Sequence, residues 1–299
     1  MPIEKSPAIT YPTLTLTSIV GGRVGINVVS GFNVLLVGTH DGSVRKILLS
    51  SLQVAEEFDQ IVIDQGHPIL ADMFLDHSRR YLFVASPYKV AKLLVEHCPT
   101  GSYSTCRACL SSRNPYCGWC SLQKTCTLRS KCDITTTIIN AGTSTVSRLG
   151  AQSGNGGGGG GGSRWLSVDS NRCVEFQSIY PEFLPLNSLD KVKLVINQLP
   201  RLPRNITYQC VFAATSSGSG ASGTTTNNNK NHLELPPTIE AAEPMANGLV
   251  CQTPPLAQRP PLPRGQDFVT VELSIRPSDS GTDFLNRKFI FYDCNFYRT

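Results

Sequence analysis

The chain has 299 residues, of which 40% are hydrophobic, 8% aromatic and only 16% charged, and Lys and Arg outnumber Asp and Glu by 27 to 22. That length suits about two domains, each large enough for its own core. The positive excess is small and never gathers into a run of five or six, which argues against a nucleic-acid arm. Apolar runs such as residues 34–37 are of strand length and too short to cross a bilayer.

From Thr10 to His97 there is no cysteine, and short apolar runs recur. Leu35-Leu36-Val37-Gly38-Thr39 and Val44-Arg45-Lys46-Ile47-Leu48-Leu49 are echoed 46–47 residues later by Leu82-Phe83-Val84-Ala85-Ser86 and Val90-Ala91-Lys92-Leu93-Leu94-Val95. Asp41-Gly42 lies between the first two runs, a strong hairpin signal. Residues 14–20 and 69–75 supply a preceding run in each copy, and Ile61-Val62-Ile63 supplies a fourth in the first copy only. Four antiparallel strands at a period in the forties are the pattern of propeller blades. A six- or seven-stranded sandwich is the plainer alternative. Two blades, one lacking a strand, cannot close a ring and leave sheet edges open.

Seven of the eleven cysteines then fall between Cys98 and Cys132, separated by seven, two, seven, two, five and five residues. Such density belongs to small disulfide-stapled modules outside the cytosol. Met1 is nevertheless followed by Pro2, Glu4 and Pro7 with no apolar stretch, so no secretory leader is visible and the chain is expected to be incomplete. Zinc is the rival reading, because Cys106-x2-Cys109 and Cys117-x2-Cys120 are thiolate pairs. The seven-residue gap between them is short for structural zinc, no histidine lies within the cluster, and the other cysteines would have no role. A redox Cys-x-x-Cys wants a βαβ setting that is missing. A loop of ~20 residues closed by one bridge is worth roughly 3 kcal/mol in the chain-entropy model, and a module this poor in apolar residues needs several. Trp119, between Cys117 and Cys120, then serves as its miniature core.

Residues 141–163, ending in seven glycines at 156–162, read as an unstructured insert. The sequence resumes with Trp165-Leu166 and Cys173, an eighth cysteine assigned to the module before the insert. Residues 179–294 are again strand-like, with clean alternation at 192–196, 206–212 and 269–275 and an apolar-aromatic stretch at 288–292. A Ser/Gly/Thr/Asn stretch at 216–231 and a proline-rich one at 254–263 read as loops. About 115 residues of short strands with one buried-type cysteine pair suggest an immunoglobulin-type sandwich.

Cys98, Cys106-x2-Cys109-Leu110, Asn114-Pro115-Tyr116-Cys117-Gly118-Trp119-Cys120, Cys126 and Cys132 resemble the cysteine-rich module shared by plexins, semaphorins and integrins. The blades before it resemble the end of a semaphorin-type propeller, in which the chain's N-terminus supplies the last strand. The chain beyond the module resembles the first immunoglobulin-like plexin/transcription-factor domain of a plexin ectodomain: Ile179-Tyr180-Pro181, Gln198-Leu199-Pro200, Tyr208-Gln209-Cys210-Val211-Phe212, Cys251-Gln252-Thr253-Pro254 and Phe289-Ile290-Phe291-Tyr292-Asp293-Cys294. A hepatocyte-growth-factor-receptor-type chain shares this domain order, and a semaphorin ectodomain is the other relative; the Phe-Tyr-Asp-Cys ending favours a plexin. The resemblance implies a mainly β chain: the C-terminal blades of a propeller over 10–97, the disulfide-rich module over 98–173 with the insert at 141–163, the immunoglobulin-like domain over 174–293, and the truncated start of a second cysteine-rich module at 294–299. It also implies the pairings Cys98–Cys117, Cys106–Cys173, Cys109–Cys126, Cys120–Cys132 and Cys210–Cys251, with Cys294 unpaired. The glycine insert, between Cys132 and Cys173, departs from the family pattern.

The function so implied is that of the extracellular part of a single-pass plasma-membrane receptor in semaphorin–plexin signalling and axon guidance. This stretch would be mainly a structural neck. Semaphorins would be bound through the full-length receptor, and other plexin ectodomains are a second class of partner. No nucleic acid, cofactor, metal or catalytic residue is expected, and membrane attachment would run through a transmembrane helix absent from this sequence. An enzyme is the contrasting class: His40, His67, His77, His97 and His232 exist, but no Gly-x-Ser-x-Gly, His-Glu-x-x-His or phosphate-cradling loop does. Asn205-Ile206-Thr207 is a glycosylation sequon. The 254–263 stretch, with Arg259 and Arg264, reads either as a ligand for aromatic grooves or as an extended loop.

Overall fold

The computed structural model describes residues 6–24, 31–51, 54–98, 103–132, 164–170, 172–215, 236–263 and 265–294. The glycine insert, the 216–231 stretch and the residues after Cys294 lie outside them. The chain divides into two compact units, one of N-terminal strands with the cystine module and one of C-terminal strands.

The first sheet is a meander of β1 (Leu16–Val24), β2 (Phe32–Thr39), β3 (Ser43–Ser51) and β4 (Val54–Val62). Asp41-Gly42 forms the β2–β3 turn. Gly42 takes φ 85°, the left-handed residue that closes a three-residue hairpin loop. Asp41 Oδ1 accepts from the Ser43 amide at 3.1 Å, from Ser43 Oγ at 2.6 Å and from Thr39 Oγ1. A Cβ on Gly42 would run into the Asp64 carbonyl. The fourth strand begins well before its apolar Ile61. It does so because its carboxylates are matched across β3, Glu57 to Arg45 and Asp59 to Lys46, each at 2.9 Å.

The second sheet has three strands, β5 (Phe74–Leu75), β6 (Tyr81–Ala85) and β7 (Val90–Leu94). Only the end of the apolar run at 69–75 is strand. Ile69 lies in the preceding loop as a plug, its amide donating to the Thr39 carbonyl at 3.0 Å. It packs with Val34, Leu36 and Val44 of the first sheet and Leu82 and Val84 of the second, so the two sheets share one core. β7 is an edge, with Val90 82% exposed.

One buried carboxylate ties the two sheets through their loops. Asp64, just after β4, accepts from Ser86 Oγ at 2.6 Å and pairs with Lys89 Nζ at 2.9 Å, both in the β6–β7 turn, and His67 Nδ1 stands 3.4 Å away. The Ser86 hydroxyl above all, then the Lys89 ammonium, hold its carboxyl down from 3.8 to about 2.

The cystine module supplies helix α1 (Cys106–Ser111), β8 (Cys117–Cys120), β9 (Thr125–Leu128), a single turn α2 (Arg129–Cys132) and β10 (Trp165–Ser167), with β8 central in a β10-β8-β9 sheet.

The second unit runs β11 (Glu175–Tyr180), β12 (Phe183–Pro185), β13 (Lys191–Asn197), β14 (Tyr208–Ala214), β15 (Thr238–Met245), β16 (Gly248–Gln252), β17 (Phe268–Pro277) and β18 (Leu285–Tyr292). Their hydrogen-bonded order is β11-β13-β16-β15-β14-β17-β18-β12. β15 pairs with β14 through its first half and with β16 through its second, so one strand serves both halves of an immunoglobulin-like sandwich. Alternate residues point inward: Val192, Leu194 and Ile196 of β13, Leu273 and Ile275 of β17, and Phe289 and Phe291 of β18 are all buried. The end of this core is closed by Arg259 rather than by an aliphatic side chain. Its guanidinium donates to the carbonyls of Pro254, Pro185, Leu186 and Ser188 and to Thr253 Oγ1, at 2.6–3.2 Å. It also lies 4.3 Å from the Phe291 ring centroid, a cation–π contact. The proline-rich stretch is not extended throughout, since Leu256–Gln258 form a 3-10 turn; it is latched onto the β12–β13 connection, and Arg259 is not free for a groove.

Both of these polar anchors bear on stability. A carboxylate with a depressed pKa stabilises the fold above its unfolded pKa and loses that contribution as pH falls through the folded value. Asp64→Asn is expected to lower the denaturation midpoint at pH 6 and to flatten its fall between about pH 4 and about 2, measured by chemical denaturation across pH. Arg259→Lys keeps the charge but not the planar fork, and is expected to cost about 3 kcal/mol, read as a lowered midpoint for the sandwich transition.

Candidate functional site: a cystine module seated on the blades

Local chemistry shapes the module before the bridges do. Thr105 caps α1, its Oγ1 accepting from the Ala108 amide at 3.2 Å. The helix buries Cys109 and Leu110. Asn114 then makes a side-chain turn: Oδ1 accepts from the Tyr116 amide at 3.1 Å, Nδ2 donates to the His97 carbonyl at 3.0 Å, and the Cys117 amide donates back to the Asn114 carbonyl at 3.0 Å. This aims Tyr116 at the blades and delivers Cys117 to Cys98.

Three bridges staple the result. Cys98 is bonded to Cys117, Cys109 to Cys126 and Cys120 to Cys132, with Cα separations of 5.5, 5.6 and 5.5 Å. Cys106 and Cys173 are each half of a disulfide as well. Trp119 on β8 is buried. Gly118 beside it leaves room for a second tryptophan: a Cβ there would run into the Trp165 ring, whose Nε1 donates to the Thr127 carbonyl at 2.9 Å. In the sandwich, Cys210 is bonded to Cys251, joining β14 to β16 across the intervening β15. Cys294 is a free, exposed thiol, and Asn205 is exposed in the turn before β14.

The module sits in the core of the blades. Tyr116 is only 7% exposed and belongs to the cluster that Ile69 completes. Phe58 of β4 stands 6.3 Å from its ring centroid. Burial, reinforced by Glu96, pushes the Tyr116 phenol well above its ordinary range. Lys46 of β3, 1% exposed, donates to the Val95 carbonyl at 3.1 Å and pairs with Asp59 at 2.9 Å. At the rim, Arg113 pairs with Glu56 at 3.1 Å.

His40, His67, His77 and His97 are exposed, and His232 lies outside the described residues. Among the described residues no group of three or more His, Cys, Asp or Glu is placed to hold a metal ion. Sequence reasoning missed Lys46, Trp165 and the structural use of Tyr116 and Arg259. Tyr116, Lys46 and Trp165 each stood inside a quoted stretch, but nothing in those stretches gave them these uses.

Similarity to known proteins agrees with this geometry. A family model described as a plexin repeat matches residues 97–146, and one described as a TIG domain, of plexin type, matches residues 180–292. The class is therefore that of a plexin repeat coupled to a plexin-type TIG sandwich. The chain is 27% identical over 266 residues to rat Plexin-B3, covering 89% of this chain and 11% of that protein. It is 25% identical over 297 residues to mouse Plexin-A2, covering 98% and 13%. The full extracellular region of Plexin A4 superposes with a TM-score of 0.60 at 21% identity, covering 96% of this chain and 23% of that one. The chain is similar to plexins along nearly all of its length. It spans 11–13% of the length of these curated relatives.

Truncating Tyr116 removes the ring that joins module and blades. Tyr116→Ala is expected to destabilise the first unit by about 3 kcal/mol and Tyr116→Phe by no more than about 1 kcal/mol, measured by denaturation followed through the blade signal.

Proposed function

We propose that this chain works on the extracellular side of the plasma membrane as the neck of a plexin-type receptor for semaphorins, in the signalling that guides axons. Its task is to carry position from a propeller to the stalk below it. Binding belongs to the full-length receptor, with semaphorins first and other plexin ectodomains second as partners. In this reading the blades occupy 10–97, the plexin repeat 98–173, the TIG domain 174–293, and Cys294 opens a second cysteine-rich module. The remaining half-cystines, Cys106 and Cys173, are joined to each other across the glycine insert.

The observation that carries the reading is the seat of Tyr116. A module that inserts an aromatic ring into the blades' own core moves with them as one body, and three bridges within it resist internal deformation. Stiffness of this kind is of use in a receptor that reports how its outer domains are arranged. Among the described residues no helix is long and apolar enough to cross a membrane, and the neck reading asks for none.

Peptide mapping of the non-reduced protein tests the reading. It should return the five pairs Cys98–Cys117, Cys106–Cys173, Cys109–Cys126, Cys120–Cys132 and Cys210–Cys251, with Cys294 alone alkylated. Reduced thiols through the module, or stoichiometric zinc, would overturn it. Immobilised semaphorin should retain this chain weakly or not at all, and tight binding would contradict the division of labour.

A further inference from the structure

The second unit carries a modification site that the neck reading does not use. Asn205-Ile206-Thr207 is the one Asn-x-Ser/Thr sequon of the sequence, and its surroundings are those an N-linked glycan requires. Asn205 and Thr207 are exposed while Ile206 between them is half-buried, so the middle residue is anchored and the two recognition residues face solvent. The turn is held from three sides, none of which uses the Asn205 or Thr207 side chain. The Ile206 amide donates to the Pro203 carbonyl at 3.1 Å. The Thr207 backbone exchanges two bonds with Ser278, its amide donating to Ser278 Oγ at 3.2 Å and its carbonyl accepting from the Ser278 amide at 2.8 Å. The buried Tyr208 hydroxyl donates to the Pro200 carbonyl at 2.5 Å.

We infer that Asn205 is the acceptor of an N-linked oligosaccharide standing at one end of the TIG sandwich. The strand register places that end. Tyr208 pairs with Pro277, whereas Phe268, at the far end of the same β17, pairs with Tyr292, two residues before Cys294. Ten residues of strand separate the two ends by roughly 30 Å. The glycan therefore stands away from the point where the chain leaves the sandwich, and a sugar several residues long meets no strand hydrogen bond that it must displace. The chemistry is a glycosyl transfer from a diphosphate-linked lipid oligosaccharide. Asn205 Nδ2 bonds to the anomeric carbon and gives up a proton as the carbon–oxygen bond to the diphosphate breaks, and the lipid diphosphate leaves.

Translation of the full chain behind a secretory leader, with endoplasmic-reticulum microsomes, tests the site. One mobility shift is expected, removed by peptide-N-glycosidase with conversion of Asn205 to Asp. It should vanish in Asn205→Gln and in Thr207→Ala and persist in Thr207→Ser. Both losses leave the backbone contacts to Ser278 in place, so protease resistance of the sandwich should match the unmodified chain. An unshifted wild-type chain, or a shift that survives Asn205→Gln, overturns the inference. The inference needs the extracellular reading only for passage through the secretory pathway. A chain with the expected disulfide map and no glycan refutes the site alone, whereas absent bridges refute the reading itself.

Discussion

The first unit depends on one side chain being in the wrong neighbourhood. Tyr116 belongs by sequence to a cysteine-rich module and by packing to a pair of β-sheets. A small module has too little apolar surface to fold on its own account, and two blades without a ring have an unsealed core. Each supplies what the other lacks. The module contributes an aromatic ring that closes the sheets, and the sheets contribute the aliphatic wall that the module cannot build for itself. The Asn114 turn aims the ring, and the Cys98–Cys117 bridge fixes the distance over which it is aimed.

Much of this was legible because the relevant signals are local. Recurring apolar runs marked β2, β3, β6 and β7, period-two alternation marked β13, β14 and β17, an apolar-aromatic stretch marked β18, and Asp41-Gly42 marked its turn through a glycine at φ 85°. Cysteine spacing marked the module, whereas its pairing came only from family resemblance, since spacing leaves many connectivities open.

The features that escaped sequence reasoning share a cause: partners far along the chain altered a residue's local meaning. β4 looked like a short apolar strand because only Ile61-Val62-Ile63 carried a signal; Glu56, Glu57 and Asp59 join it once Arg45, Lys46 and Arg113 are set opposite them. β15 was not recognised because Pro244, Glu240 and Glu243 break its pattern; it tolerates them by leaving one sheet for the other midway. Trp165 looked like the resumption of sequence after a glycine tract, and nothing near it announced that Gly118 keeps a place for its ring. Arg259 sat in a proline-rich stretch that suggested solvent, yet its acceptors come from residues 185–188 as well as from its own loop.

Lys46 has a further bearing on how such a chain can change over generations. An ammonium shut away from water is tolerable only while Asp59 answers it, and an uncompensated ion in that place is far costlier than either an intact pair or two apolar side chains. Removing Asp59 strands the ammonium, whereas Asp59, whose side chain is 29% exposed, keeps access to water when Lys46 goes, so the tolerable route from salt bridge to hydrocarbon loses the lysine first. The constraint therefore runs one way: a lysine at position 46 demands an acid at 59, whereas an acid at 59 can outlast the lysine.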